Sequence, residues 1–318
     1  MNNLFGKFIV ILHAVLKHSS CNMKGINRNN LIGYAAGIIS GMTYGLNPLF
    51  AMPLINNGAT VEAILFFRYS LSAFILLILL LIGRQSLRIN LKQAGVLIIL
   101  GLLFTASSTF LFEAYKYIAS SLATTLIFLF PVFVALIMMF LRVYPTWQVW
   151  LSVATCFAGV VIMTQTGTSQ SIAIEGVLLS LGSALAYAIF IVIINHNKSI
   201  RNISNSLTTF YAMVVGSVVF LARIIFNGHI ITTGIDYPMA WINLLGLAIL
   251  PTIVSTSTLA LSTRKIGATK ASVLSVFEPI TAIMAGALVL NEPITANIII
   301  GIALSISAVT FMILSGKK

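Results

Sequence analysis

The sequence contains few charged residues, which make up 8% of its 318 residues, against about 25% in an ordinary soluble domain. Only six residues are acidic, whereas 59% are hydrophobic and the mean hydropathy is +1.05. A chain this apolar cannot cover itself with polar surface in water, which excludes a soluble enzyme and a disordered chain. The expected solvent is therefore a lipid bilayer.

Cysteine is also scarce in this chain. Cys21 and Cys156 are the only two cysteines, and Cys156 lies inside a long apolar run. This usage excludes a secreted scaffold held together by disulfides. The sequence has no CxxC motif and no Cys/His cluster of the kind that binds zinc, so we predict no metal site.

Enzyme motifs are absent as well. The sequence has no HExxH, no GxSxG, no phosphate-binding P-loop and no GxGxxG after a strand. We therefore predict no enzymatic activity, no catalytic residue and no cofactor. Because an ATP-binding loop is lacking, any active transport has to be driven by gradients across the membrane.

Long apolar runs occupy most of the chain after residue 30. A membrane-spanning helix needs about 20 mostly apolar residues, and the apolar character of these runs continues round all faces of the predicted helices. Ten runs qualify, at residues 31–53, 61–83, 93–113, 117–141, 146–166, 174–195, 206–226, 239–262, 269–290 and 294–315. The sequence predicts an all-α integral membrane protein with ten transmembrane helices.

The basic residues set the expected orientation. Lys and Arg number 18 and give a net charge of +12, which in a soluble protein would indicate a nucleic-acid partner. Here they stand singly or in twos and threes between apolar runs, so no nucleic-acid partner is predicted. If the N-terminus is cytoplasmic, Lys116 and Arg223 are the only basic residues on the outer side of the membrane, and Arg68 lies within a span. This predicts a multi-pass protein of a bacterial-type inner membrane with both termini in the cytoplasm.

The second half of the chain repeats the first. Residues 107–145 and 255–293 align without gaps, and both copies place two prolines at the same spacing. Upstream, the segment GIISGMTYGL resembles SLGSALAYAI and aligns Tyr44 with Tyr187. We therefore predict two five-helix repeats, at residues 31–166 and 172–316, after a cytoplasmic tail formed by residues 1–30.

The two predicted repeats should enter the membrane in opposite directions, because five is an odd number of crossings. The loop charges agree, since the loop around Lys116 is outside while its counterpart with Arg264, Lys265 and Lys270 is inside. Inverted repeats characterise many secondary transporters, whose substrate site lies near the midplane between the two halves.

Several segments of the sequence form a recognisable set. They are YKYIASSLATTLIFLFPVF, RKIGATKASVLSVFEPITAI, the closing NEPIT, and an arginine early in the second helix, Arg68. With these segments the sequence resembles the EamA family of the drug/metabolite transporter superfamily, over nearly the whole chain from about residue 31. Each motif is weak alone, but the set at this spacing in ten spans is specific.

The resemblance implies an exporter or exchanger of metabolites, often amino acids or related small molecules. Together with the inverted repeats, it predicts secondary transport by alternating access at a midplane cavity. The expected partners are a small-molecule substrate, the lipid bilayer and, as the candidate coupling ion, the proton. Two alternatives are a membrane sensor or scaffold subunit that transports nothing and, more weakly, an intramembrane enzyme.

Glu278 is the sharpest candidate for function. It lies near the centre of span nine, where a charged group costs roughly 2.5–3.5 kcal/mol, so it should face a cavity or a partner or be protonated. The following Pro279 removes a backbone donor and frees a carbonyl one turn earlier. Glu278 could form a substrate or proton site, or else a helix-packing hydrogen bond or cap. The first repeat has Phe130 at this position, so the chemistry would be one-sided.

Arg68 is predicted within span two, about 10 Å along the helix from its outer end. A guanidinium binds carboxylate or phosphate groups bidentately, so Arg68 is a candidate anchor for such a group. The alternative, which we favour from the sequence, is a structural ion pair at the outer rim with Glu62 or Glu113.

A second candidate cluster contains Tyr44, Asn47 and Pro48 in span one, with Tyr187 at the matching place in span six. Asn47 and Pro48 should break the helix, and the nearby Gly41 and Gly45 allow a close approach. The phenol and amide groups could form a cavity wall, or the segment could serve only for helix packing through small residues.

Hydroxyl-rich runs at residues 105–109 and 255–258 complete the candidates. Their hydroxyls could line a cavity, with Ser255 as a substrate-binding residue, or they could bond the preceding carbonyls of their own helices. We also predict that four prolines break helices and take part in gating, namely Pro48, Pro131, Pro251 and Pro279.

Overall fold

The computed structural model describes residues 28–140, 147–164, 173–197, 199–200, 202–228, 232–266, 274–275, 277–291 and 295–315. Throughout these residues the regular structure is helical and no strand is formed. The helices, in chain order, are α1 (Arg28–Tyr44), α2 (Asn47–Asn56), α3 (Val61–Ile82), α4 (Leu91–Ala114), α5 (Ser120–Ile127), α6 (Phe130–Phe140), α7 (Trp147–Thr164), α8 (Ile174–His196), α9 (Asn205–Asn227), α10 (Pro238–Leu247), α11 (Ser255–Ile266), α12 (Phe277–Val289) and α13 (Ala296–Ser315). A π-helical segment, Ala248–Val254, joins α10 to α11.

Seven of the described helical stretches are long and apolar enough to cross a bilayer. They are Asn30–Asn56, Val61–Ile82, Leu91–Ala114, Ser120–Phe140, Ile174–Ile194, Asn205–Asn227 and Pro238–Ser262, with shorter apolar helices at Phe277–Val289 and Ala296–Ala308. Every one of the ten predicted runs contains helix, so the all-helical prediction is confirmed. The count of ten crossings stays a prediction. Residues 1–27 of the predicted cytoplasmic tail lie outside the described residues.

The outer surface of the bundle is apolar. Large side chains that a soluble protein would bury are exposed here, including Phe74, Leu81 and Phe226, which is 88% exposed. So many exposed large apolar side chains indicate contact with lipid. Many polar side chains of the spans are instead buried, and among them are Arg68 and Glu278.

Two of the spans are interrupted in the same way. The first helix ends at Tyr44 and restarts at Asn47, with Pro48 in the first turn of α2. Within the fourth predicted span, one helix ends at Ile127 and the next begins at Phe130, again with a proline, Pro131, in its first turn. Proline is favoured there because the first turn needs no backbone donor from it.

The two halves pack as a pseudosymmetric pair. Helix α1 packs along α11 of the second half, and α8 packs along α4 of the first. Each contact contains the same serine pair. Ser40 Oγ donates to the Ser255 carbonyl over 2.9 Å, and Ser183 Oγ donates to the Ser107 carbonyl over 2.7 Å. The serines that the sequence repeat aligns therefore make equivalent contacts.

The second helices of the two halves, α3 and α9, lie side by side and run antiparallel. Glu62 at the start of α3 pairs with Arg223 near the end of α9, and the ring of Tyr69 packs against Phe220 further along. Leu76, nearer the end of α3, lies beside Thr209 near the start of α9. Equivalent helices thus have opposite directions.

Glycines bring α1 against the start of α12. A Cβ placed on Gly41 would lie 3.2 Å from Phe277 Cβ, and one on Gly45 would collide with the Glu278 carbonyl. The close approach expected at Gly41 and Gly45 is confirmed. Because these backbones nearly touch, the end of α1 holds Tyr44 beside Glu278.

Candidate functional site

Three polar side chains predicted from the sequence lie near Tyr44 in the interior of the bundle. We call Tyr44, Arg68, Tyr187 and Glu278 the central cluster. The phenol of Tyr44 is within electrostatic range of the other three, and Tyr187 is also within range of Glu278. Tyr44 and Tyr187 come from equivalent helices of the two halves, so the cluster straddles the pseudosymmetry axis.

Glu278 lies in the first turn of α12 and is only 8% exposed. Its backbone N–H donates to the Ser275 carbonyl over 2.9 Å. In the described part of the chain, no basic side chain forms an ion pair with its carboxylate. The N-terminal position of a helix favours a negative charge through the helix dipole, which partly compensates for burial.

Arg68 corrects the ion-pair interpretation that we favoured from the sequence. Glu62 pairs with Arg223 over 2.8 Å and Glu113 pairs with Lys116 over 2.9 Å, so neither acid reaches Arg68. Arg68 lies in the interior, 2% exposed, and not at an exposed rim. Sequence reasoning failed because Arg223, which lies on the other half of the chain, is the better partner for Glu62.

The actual contacts of Arg68 come from the π-helical segment and from α4. Its Nε donates to Thr252 Oγ1 over 3.0 Å, and its guanidinium carbon lies 5.5 Å from the centre of the Phe112 ring. Its Nη2 is buried and has no hydrogen-bond partner. Two contacts therefore hold the guanidinium, one at Nε and one on the face of the group, whereas Nη2 has no hydrogen-bond acceptor.

Pro251 explains why Thr252 is available to Arg68. Pro251 cannot donate to the carbonyl of Leu247, four residues before it, and the helix widens into the π-helical segment. Thr252 Oγ1 donates to that Leu247 carbonyl over 2.9 Å and accepts from Arg68. The predicted helix break at Pro251 is thus a local widening that positions a hydroxyl for Arg68, and its gating role stays a prediction.

Asn47 closes the break between α1 and α2. Its Nδ2 donates to the Tyr44 carbonyl over 2.9 Å, which satisfies an acceptor that the broken helix leaves free. The side chain is fully buried, and its Oδ1 has no partner. Asn47 therefore presents an unsatisfied acceptor in the interior, at the break between α1 and α2.

The surroundings of Tyr187 differ from those of Tyr44. The ring of Tyr187 meets Phe130 edge-on at 5.0 Å between centroids and stacks on Phe190 at 5.8 Å. Phe130 is the residue that the sequence repeat aligns with Glu278. At equivalent positions the first half thus has the aromatic ring of Phe130 and the second half has the carboxyl group of Glu278. The two halves differ here as the sequence repeat predicts.

Ser255 and the threonines of the hydroxyl runs form hydrogen bonds between helices or within a helix. Ser255 packs in the serine pair with Ser40, with its carbonyl and hydroxyl facing α1, and its role in substrate binding stays a prediction. Thr105, Thr109 and Thr258 donate to carbonyls of their own helices four residues earlier. For these hydroxyls, the interpretation as bonds within the helix is the right one.

A cavity of about 150 Å³ lies where α3, α9 and α11 meet, at the end of the α3–α9 contact opposite Glu62. Its polar lining consists of amide and hydroxyl groups, from Asn205, Ser206, Thr209, Thr256 and Ser257. Thr256 Oγ1 donates to the Thr252 carbonyl over 2.7 Å. The cavity is therefore one helical turn away from the residue that holds Arg68.

Sequence reasoning missed Thr252 and Phe112, the two residues that hold Arg68. A hydroxyl directly after Pro251 was the available signal for Thr252, whereas nothing in the local sequence distinguishes Phe112 from the other phenylalanines of its helix.

In the described ranges no group of three or more His, Cys, Asp or Glu side chains could bind a metal ion.

Comparisons with known proteins agree with this architecture. The model of the EamA-like transporter family matches the chain twice, over residues 31–165 and 174–314. A relative named only as an uncharacterized transporter, from Archaeoglobus fulgidus, is 27% identical over 245 residues, which are 75% of this chain and 83% of the relative. A crystal structure of a protein that is 14% identical superposes with a TM-score of 0.64, covering 90% of this chain and 97% of the other, and shows the same fold. The chain belongs to the EamA-like transporter family.

Proposed function

We propose that this membrane transporter moves small metabolites such as amino acids by secondary active transport, with alternating access to the central cluster. In this proposal ten helices cross a bacterial-type inner membrane, both termini are cytoplasmic, and the direction is export or exchange. The observation that carries the proposal is the antiparallel contact between α3 and α9, two equivalent helices, around a polar interior.

This contact supports inverted repeats for a geometric reason. If two equivalent helices run in opposite directions side by side, the axis that relates the halves is perpendicular to them and therefore lies in the membrane plane. Two copies related in this way can exchange conformations, so one protein can open to either side. The cluster on that axis is where a substrate would be reached from both sides.

The two ends of the α3–α9 contact support a state that is open on one side. At one end, Arg223 Nη2 and Glu62 Oε1 are 2.8 Å apart and join the two halves. At the other end, α3 and α9 line the polar cavity beside Thr256. With the predicted orientation, the ion pair closes the outer side and the cavity opens toward the cytoplasm.

A flux assay tests transport directly. The purified protein in liposomes, preloaded with single unlabelled amino acids, is expected to take up the matching labelled amino acid by counterflow. Protein-free liposomes give the background. A sensor, a scaffold subunit and an intramembrane enzyme all predict no exchange, so background rates across the amino acids and related metabolites would contradict the proposal.

Cysteine labelling tests the inverted arrangement. Asn56 ends α2 and Asn202 precedes α9, and both are exposed in equivalent loops of the two halves. With Cys21 and Cys156 replaced by serine, a membrane-impermeant maleimide is expected to label Asn56→Cys in intact cells. It should label Asn202→Cys only after permeabilisation. Labelling of both positions from the same side would refute the inverted repeats.

A further inference from the structure

Arg68 is a buried cation that the protein does not neutralise within the described residues. Five of the six acidic residues lie there. Glu62 forms an ion pair with Arg223, and Glu113 forms one with Lys116. Glu175 and Asp236 are exposed at the ends of the bundle. Glu278 forms no ion pair with Arg68. A buried charge without a counter-charge is strongly unfavourable, so a fold that keeps one has to gain from a partner that arrives from outside.

The guanidinium is also oriented in advance. The hydrogen bond from Nε to Thr252 fixes one edge, and Phe112 covers one face. The remaining edge carries the two terminal nitrogens, of which Nη2 is buried without any acceptor. Such an edge matches the two oxygens of a carboxylate in a planar, bidentate pair.

The charge of the site selects among anions. One guanidinium balances one negative charge, and Glu278, the acidic candidate in the central cluster, cannot supply a second positive charge. A phosphate monoester, with nearly two negative charges at neutral pH, would leave one of them buried and unpaired. A monocarboxylate leaves none.

We propose that Arg68, held by Thr252 and Phe112, is the subsite that binds the carboxylate of the transported substrate. This assignment rests on the proposed transport function and narrows its substrates to molecules that carry a carboxylate group. Arg68 would bind that group in the interior, next to Tyr44, while the remainder of the substrate extends into the central cluster.

The experiment measures ligand binding and not transport. Thermal unfolding of the detergent-purified full chain is followed with acetate, lactate and benzoate, and with their neutral amides acetamide, lactamide and benzamide, at constant ionic strength made up with sodium chloride. At least one carboxylate is expected to raise the unfolding temperature of the wild-type protein while its amide does not, because a ligand of the folded state stabilises it.

Variants assign the effect to Arg68. Arg68→Gln is expected to weaken carboxylate binding about thirtyfold or more, since the removed group is half of a buried charge pair. Arg68→Lys keeps the charge but loses the bidentate edge, and should bind with intermediate affinity. Arg88→Gln removes an exposed arginine from a loop and should respond like the wild type.

Three results would overturn the assignment: no stabilisation of the wild type by any of the three carboxylates, equal stabilisation by the amides or by chloride, or an unchanged response in both Arg68 variants. If Arg68→Gln does not fold, the response of Arg68→Lys decides. Counterflow of neutral metabolites alone would leave the transport proposal standing and refute this one. Carboxylate binding without any flux would refute transport and leave Arg68 as a carboxylate-binding site only.

Discussion

Replacing Glu278 by glutamine is expected to abolish the response of transport to a pH gradient. The amide has nearly the shape of the carboxyl group but can neither bind nor release a proton. Glu278 is buried in the first turn of α12, beside Tyr44 and Tyr187, and no described cation forms an ion pair with it. In proteoliposomes, accumulation driven by a pH gradient should fall to the level of protein-free vesicles, whereas counterflow at equal pH should persist.

Glu175→Gln is the matched control for this experiment. Glu175 also lies in the first turn of a helix, α8, but its side chain is exposed. The control variant should keep the pH response of the wild type. If Glu278→Gln transports with unchanged rate and unchanged pH dependence, Glu278 has no part in proton coupling.

Reversing the charge at residue 62 is expected to lower transport roughly tenfold, and reversing both partners should restore it. Glu62→Arg places two cations together where α3 of one half meets α9 of the other, so the halves can no longer close at this end. The double variant Glu62→Arg with Arg223→Glu re-forms the pair with its polarity exchanged. Initial rates of counterflow in proteoliposomes measure the effect.

The pair Glu113–Lys116 provides the comparison. Its two residues lie three apart in the same half, so their contact cannot respond to movement of one half against the other. Glu113→Lys should therefore leave the transport rate near that of the wild type. If Glu62→Arg is as active as Glu113→Lys, the ion pair between the halves does not control closure.

The membrane character and the positions of the helices were predictable because they depend on local composition. An apolar run of sufficient length forms a helix in lipid whatever surrounds it, since its backbone groups have no other partners there. The break at Asn47 and Pro48 was predictable for the same reason, because proline acts on its own turn. The equivalence of Tyr44 and Tyr187 followed from the repeat and needs no tertiary information.

The partners of the buried polar residues were not predictable in this way. The helices are apolar on all sides, so no amphipathic stripe identifies which face of α3 turns inward. The ion pair of Glu62 with Arg223 joins residues 161 apart, and the bond from Arg68 to Thr252 joins residues 184 apart. Both depend on which helix of the other half lies alongside.

By itself, then, the amino-acid sequence determined that this protein is a helical membrane protein, that its first helix breaks at Asn47 and Pro48, and that its two halves are copies of each other. Only the tertiary structure decided that Arg68 lies in the interior without an ion-pair partner among the described residues, that Ser255 belongs to the contact between the halves, and that Glu62 pairs with Arg223 across that contact. The physical reason is that composition and proline act over one or two helical turns, whereas the neutralisation of a buried charge depends on side chains brought together from distant helices.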